Sequence, residues 1–239
     1  MLLFYIRHGR PCYKPDELKP AGRRQAEAVA RRLAVFGVDR VYSSSSNRAI
    51  ETAQPTCDIC ELEMTILDWC NESYAWADTA VDRGDGVFKW AFSLPDWRRK
   101  FIDEEILRLG SSWYDHPFFA GTNFKAGIQR VDRETDALLA SLGYVHDRTR
   151  HLYAAERPTD ERVAIFAHEG FGKMFLSSVL DIPYPVFCTR FEMNYTGMSV
   201  IEFQPSDDGI CIPRTLTHAN DGHLYRDGLP LHYQNRLRF

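Results

Sequence analysis

The chain has 239 residues, 44% hydrophobic and 26% charged, enough apolar material for one packed core. A net charge of −4 argues against a nucleic-acid partner, which normally demands a basic excess or stripe. No stretch approaches the roughly 20 apolar residues that span a bilayer. Arg7 and His8 interrupt the one apolar run near the N-terminus that could have served a signal peptide. The expectation is a cytoplasmic protein without nucleic-acid or membrane partners. Six scattered cysteines do not suggest a disulfide framework. The C-x-x-C of Cys57 and Cys60 lacks the second pair a zinc site needs, so both read as ordinary reduced thiols on a helix.

Leu2 to Ile6 is a short unbroken apolar run, the mark of a strand covered on both faces. Pro20 to Phe36 reads as a helix, with Ala26, Val29, Ala30, Leu33 and Phe36 recurring at intervals of three and four; Gly37 stops it. Val38 to Ser43 alternates as a second strand. Ser43 to Ser46 supply an N-cap for a helix beginning near Asn47. Met64 to Trp69 is a weaker strand.

An aromatic-rich section from about Ser73 to Pro158 follows, with two amphipathic helices expected, Asp96 to Leu109 and Phe124 to Leu142. Strand character returns at Val163 to Ala167, then a helix from Phe171 to Leu180, and last strands at Ser199 to Phe203 and Ile210 to Leu216. Alternating strands and helices imply an α/β fold with a largely parallel sheet. The expected organisation is a single domain over 1–239 with a mainly helical, aromatic insertion at about 73–160 lying over one end of the sheet.

Ligands of parallel α/β sheets bind beyond the carboxyl ends of the strands. Arg7 and His8 end the first strand. The second leads to Arg48, the third to Glu72, and VAIFA ends in His168 and Glu169. Two arginines and two histidines would repel one another without an anion. Guanidinium groups suit phosphate oxygens through paired charge-assisted hydrogen bonds. Taken singly, each residue has an ordinary reading: a solvated loop arginine, a satisfied structural histidine, a helix-capping glutamate. Their joint appearance at successive strand ends favours a functional site.

The segments YIRHGR, YSSSSNRAIETA and FAHEGF resemble the signatures of the histidine phosphatase superfamily, in its phosphoglycerate-mutase-like branch. LKPAGRRQAEAVARRL, CNE and THANDGHL resemble its supporting segments. The resemblance covers residues 1–72 and 161–224 and leaves the insertion largely outside. It implies a three-layer α/β/α sandwich with an inserted helical cap. It also implies a metal-independent, cofactor-free phosphomonoester hydrolase acting on a small phosphorylated metabolite. His8 would attack phosphorus as a neutral imidazole and become a phosphohistidine. Arg7, Arg48 and His168 would hold the equatorial oxygens, and Gly9 would let the backbone approach closely. Glu72 would protonate the leaving alkoxide and then activate water.

Two features depart from the family pattern. Arg10 and Pro11 stand where an acid or amide and then a hydroxyl residue are usual, so Arg10 either binds a second anionic group or is solvated. Glu169, directly after the second histidine, is the alternative acid, as in the acid-phosphatase branch; Glu72 is preferred for the CNE context. The alternatives to hydrolysis are a phosphoglycerate-mutase-type transfer and a non-catalytic phosphate-binding module. Against the mutase, Ser73, Tyr74, Ala75 and Trp76 follow Glu72 in place of Arg-His-Tyr-Gly, although Arg98 and Arg99 remain sources of charge. The insertion's aromatic residues read mostly as its own core, with some forming an apolar wall suited to a bulky leaving group. The oligomeric state is open, a homodimer among the options.

Overall fold

The computed structural model of the chain describes residues 1–233. Six strands form the central sheet: β1 (Leu2–Arg7), β2 (Arg40–Ser44), β3 (Met64–Leu67), β4 (Arg162–Ala167), β5 (Met198–Glu202) and β6 (Arg214–Asn220). Their order is β6-β5-β1-β4-β2-β3. The pairs β1–β4, β4–β2 and β2–β3 are parallel, while β5 and β6 add an antiparallel edge.

Alternation explains why β1 and β4 read as unbroken apolar runs. Leu3 and Tyr5 enter one buried layer, Phe4 and Ile6 the other; Val163, Ile165 and Ala167 divide in the same way from Ala164 and Phe166. Helices α1 (Pro20–Phe36) and α2 (Asn47–Cys60) cover the Phe4 face through Val29, Leu33, Ala53 and Cys57. Helices α6 (Phe124–Ser141) and α7 (Glu169–Leu180) cover the Tyr5 face through Val131, Leu138, Leu139, Phe171 and Phe175. The result is a three-layer α/β/α sandwich.

Between β3 and β4 lie α3 (Glu72–Thr79), the hairpin Ala80–Asp82/Phe88–Trp90, α4 (Pro95–Phe101), α5 (Glu104–Arg108), α6, and the strands Tyr144–Asp147 and Leu152–Ala155. Phe101, Trp113, Phe119, Phe124 and Tyr184 pack there with ring centroids 4.8–6.2 Å apart. They belong to the same buried cluster as Leu3 and Tyr5 of the sheet.

Two expected elements are divided. Asp96 to Leu109 is not one helix: α4 ends at Phe101 and α5 starts at Glu104, with Asp103 extended between them. Phe101 and Ile106 are both fully buried. Five positions apart on one helix they would face directions roughly 140° apart, so the break lets both reach one core. Ile210 to Leu216 is likewise two strands. Ile210–Cys211 pairs with the Leu152–Ala155 ribbon, and Arg214–Asn220 pairs with β5. Pro213, which has no N–H for a ladder, stands between them.

Candidate active site

The carboxyl ends of the parallel strands bring the expected residues together. β1 ends in Arg7 and leads into His8, and β4 leads into His168. Ser43 and Ser44 end β2, and Ser45 and Ser46 lead into α2, which carries Arg48; a 3-10 turn after β3 delivers Glu72 as the first residue of α3. The Asn71 side chain caps α3, accepting from the Ser73 N–H at 3.0 Å. The His8 and His168 rings lie 5.2 Å apart. One ligating atom from each of His8, Glu72 and His168 falls within 4.8 Å of the others.

His8 is buried, and its Nδ1 lies 2.7 Å from the Gly9 carbonyl oxygen. That oxygen only accepts, so Nδ1 carries the ring proton and Nε2 keeps a free lone pair. Burial, then the Arg7 and Arg48 charges, hold the His8 pKa well below the ordinary imidazole value. Gly9 acts through its backbone: its N–H donates to Thr52 Oγ1 at 2.9 Å, and Thr52 donates to the Arg48 carbonyl at 2.7 Å. A Cβ on Gly9 would meet the Gly22 carbonyl oxygen of α1 at 2.6 Å, so the missing side chain admits α1.

Arg7 Nη1 lies 2.7 Å from Glu169 Oε2 and donates to the Met193 carbonyl at 2.5 Å, and the guanidinium sits 4.3 Å above the Tyr195 ring. Arg48 Nη1 binds Asp16 Oδ1 at 2.7 Å, and Nη2 lies 3.1 Å from His168 Nδ1. The Nε–H groups of both arginines are buried and make no hydrogen bond within the protein among the described residues. A buried donor left without any acceptor costs about 1–3 kcal/mol.

The two candidate acids differ sharply. Glu72 Oε1 accepts from the Phe171 N–H at 3.0 Å, and Oε2 lies 3.4 Å from His168 Nδ1. Burial pushes its carboxyl up to about 7, against the opposing pull of the Phe171 N–H and the arginines. Burial also works against the charge on Glu169, but Arg7 and Lys173 outweigh it and hold that carboxyl below its ordinary value. Lys173 is itself buried, 3.5 Å from Glu169 Oε1 and 3.6 Å from Glu192 Oε2. Glu169 is thus placed as the counter-charge of Arg7, and Glu72 holds a proton near neutrality.

Arg10 is exposed; its backbone N–H donates to Gln25 Oε1, and its guanidinium makes no hydrogen bond or ion pair among the described residues. Arg98 donates to the Thr189 carbonyl at 2.9 Å, and Arg99 pairs with Asp96. Ser46 stands at the N-cap of α2 but makes no side-chain cap bond; its Oγ lies 3.2 Å from His168 Nε2, and Ser44 Oγ lies 2.8 Å away. Sequence reasoning missed Asp16, Ser44, Thr52 and Tyr195. The serine run was the only local signal, and it pointed to capping.

Among the described residues, His8, Glu72 and His168 are the set whose donor atoms could surround a cation. Arg7 and Arg48 oppose that use, because Arg48 already occupies His168 Nδ1 and both carry positive charge. A cavity of about 420 Å³, lined in part by Trp113, Asp132, Arg148 and Asp181, lies at the far end of α7 from His168.

Two guanidinium and two imidazole groups are thus gathered at the carboxyl ends of the parallel strands of an α/β protein. Residues 3–77, which carry Arg7, His8, Arg48 and Glu72, match the sequence model of the histidine phosphatase superfamily (branch 1). Solved structures with this fold include a mycobacterial hydrolase (18% identity, TM-score 0.61, 97% of this chain and 98% of that one). A phosphoserine phosphatase from Entamoeba histolytica shares 18% identity with TM-score 0.56, covering 93% and 98%. A mycobacterial glucosyl-3-phosphoglycerate phosphatase shares 19% with TM-score 0.58, covering 90% and 97%. None of the curated proteins matches the chain. No helix among the described residues is long and apolar enough to cross a membrane.

Proposed function

We propose that the protein is a phosphomonoester hydrolase that forms a phosphohistidine on His8 and acts on a small phosphorylated metabolite. The observation that carries this reading is the pair of buried, unpartnered Nε–H groups on Arg7 and Arg48 beside a neutral His8 whose Nε2 is free. A phosphate dianion would supply the missing acceptors. His8 Nε2 attacks phosphorus in line with the leaving oxygen. Arg7, Arg48 and His168 hold the equatorial oxygens, where charge concentrates in the transition state. Glu72, protonated at its raised pKa, gives its proton to the leaving alkoxide and then takes one from the water that releases phosphate. The guanidinium groups supply the positive charge, so no step is assigned to a metal or cofactor.

Phosphatase is favoured over mutase because Ser73, Tyr74, Ala75 and Trp76 follow Glu72 where the mutases carry Arg-His-Tyr-Gly. The phosphoserine and glucosyl-3-phosphoglycerate phosphatases that share the fold take different substrates, so they support the reaction and leave the substrate open. Trp90 bears on it. A Cβ on Gly170 would lie 2.5 Å from both Glu72 Oε1 and Trp90 Cη2, so acid and indole are close neighbours. Trp76 packs edge-on against Trp90 at 4.9 Å. That apolar wall suits a leaving group with an aromatic or other bulky body.

The test is a phosphatase assay on p-nitrophenyl phosphate and a panel of aryl, sugar and amino-acid phosphates, with mutase activity on 3-phosphoglycerate included. Turnover by the wild type and none by His8→Ala is expected. A wild type that binds phosphate yet hydrolyses nothing would refute the hydrolase and leave a binding module. Sugar phosphates cleaved much faster than aryl phosphates would refute the apolar wall.

A further inference from the structure

His168 is held along both edges of its ring. On one edge Arg48 Nη2 lies 3.1 Å from Nδ1, with Glu72 Oε2 3.4 Å from the same nitrogen. On the other edge Ser44 Oγ lies 2.8 Å and Ser46 Oγ 3.2 Å from Nε2. A guanidinium only donates, so Nδ1 must accept from Arg48, and the single ring proton of the neutral imidazole sits on Nε2. That proton is donated to the shorter contact, Ser44. His8 has the opposite tautomer, with its proton on Nδ1 toward Gly9. The two adjacent rings therefore present different nitrogens, each set by a neighbour outside the phosphoryl group.

From this geometry, and resting on the phosphatase reading, we infer that Ser44 is a positioning residue for His168. By holding the proton on Nε2, it leaves Nδ1, on the edge shared with Arg48 and Glu72, as the nitrogen that takes up a second proton when a phosphate dianion enters. The balance is simple. Arg48 turns its N–H from Nδ1 to a phosphoryl oxygen. Nδ1 gains one proton, from solvent or from the phosphate monoanion, and donates it to another phosphoryl oxygen. The Nε2–H to Ser44 bond is unchanged, no bond to phosphorus forms or breaks, and the new positive charge meets the incoming negative one.

The groups facing the ring explain why uptake waits for the ligand. Burial, then His8, Arg48 and Arg7, hold the imidazole well below its ordinary pKa and so neutral. Glu72, 3.4 Å from Nδ1, favours the cation only in its ionised form, while Glu169 is committed to Arg7 and Tyr5 holds the backbone, donating to the His168 carbonyl at 2.6 Å. A phosphate dianion would reverse that balance.

The experiment is imidazole 15N NMR on the whole protein, free and with saturating inorganic phosphate, with His168→Asn used to assign the signal. The expected free state has a protonated Nε2 and a bare Nδ1; the phosphate-bound state has both nitrogens protonated. In Ser44→Ala, Arg48 still keeps the free ring protonated on Nε2, but the doubly protonated bound ring loses its Nε2–H acceptor, so phosphate binding should weaken about tenfold at pH 8, the worth of one hydrogen bond to a charged group. Ser44→Thr, which keeps the hydroxyl, should restore the binding. A free wild type protonated on Nδ1, or a bound ring carrying one proton, would overturn the inference whatever the variants do. The hydrolase reading fails separately, if this signature is present but no phosphomonoester is turned over.

Discussion

Gly170, the second residue of α7, offers the sharpest test of how Glu72 is positioned. A Cβ there would lie 2.5 Å from Glu72 Oε1, 2.5 Å from Trp90 Cη2 and 2.9 Å from Trp90 Cζ2. Ordinary contact begins near 3.4 Å, so in Gly170→Ala the carboxylate and the indole must each retreat by about 0.9 Å. Glu72 has little freedom to do so, because its Oε1 accepts from the neighbouring Phe171 N–H at 3.0 Å. Alanine favours the helix by about 1 kcal/mol over glycine, and overpacking costs about 1–3 kcal/mol. The net loss of at most ~2 kcal/mol leaves the protein folded. Catalysis is more sensitive: a 1 Å misplacement costs on the order of 100-fold, or about 2.7 kcal/mol. That loss should fall on alkyl phosphates, whose alkoxide needs the proton, and much less on p-nitrophenyl phosphate. The assay is kcat/KM on both substrates for wild type and variant, beside a thermal melt. An alkyl-phosphate rate within twofold of wild type would refute the placement of Glu72 as the acid.

Replacing Glu169 by Gln removes the carboxylate facing Arg7, where both side chains are almost fully buried, and should lower stability by about 3–5 kcal/mol, read as a fall in Tm. Its residual activity should keep the wild-type dependence on the leaving group; a selective loss on alkyl phosphates would return the acid role to Glu169. Asp16→Asn weakens the anchor of Arg48 at Nη1 and should cut kcat/KM about tenfold with little change in Tm, and unaltered kinetics would show the anchor to be idle. On the pH axis, Glu72 must be protonated to act as acid, so kcat/KM on alkyl phosphates should fall as pH rises through about 7. Because the His8 pKa lies well below its ordinary value, the nucleophile should impose no loss between pH 6 and 7. A profile rising through pH 7 to 8 would contradict the Glu72 assignment.

What the sequence determined by itself is what local periodicity and chain order carry. The run Leu2–Ile6 is apolar at every position because both faces of β1 are covered, and α1 spans Pro20–Phe36 because its apolar spacing, its N-terminal proline and Gly37 are all local. Strand ends in a parallel sheet share one edge, so Arg7, His8, Arg48, Glu72 and His168 could be nominated without coordinates. The tertiary structure decided what depends on neighbours far away along the chain. Phe101 and Ile106 share a core only through a break that the helical spacing conceals. Ser44 reads as part of a capping run until β4 brings His168 across 124 positions to its hydroxyl. Glu72 and Glu169 are alike as letters. They differ because burial raises one, while Arg7 and Lys173 charge the other. Propensity and alternation act over a few residues. Burial and charge pairing act across packed layers, and those layers exist only once the chain has folded.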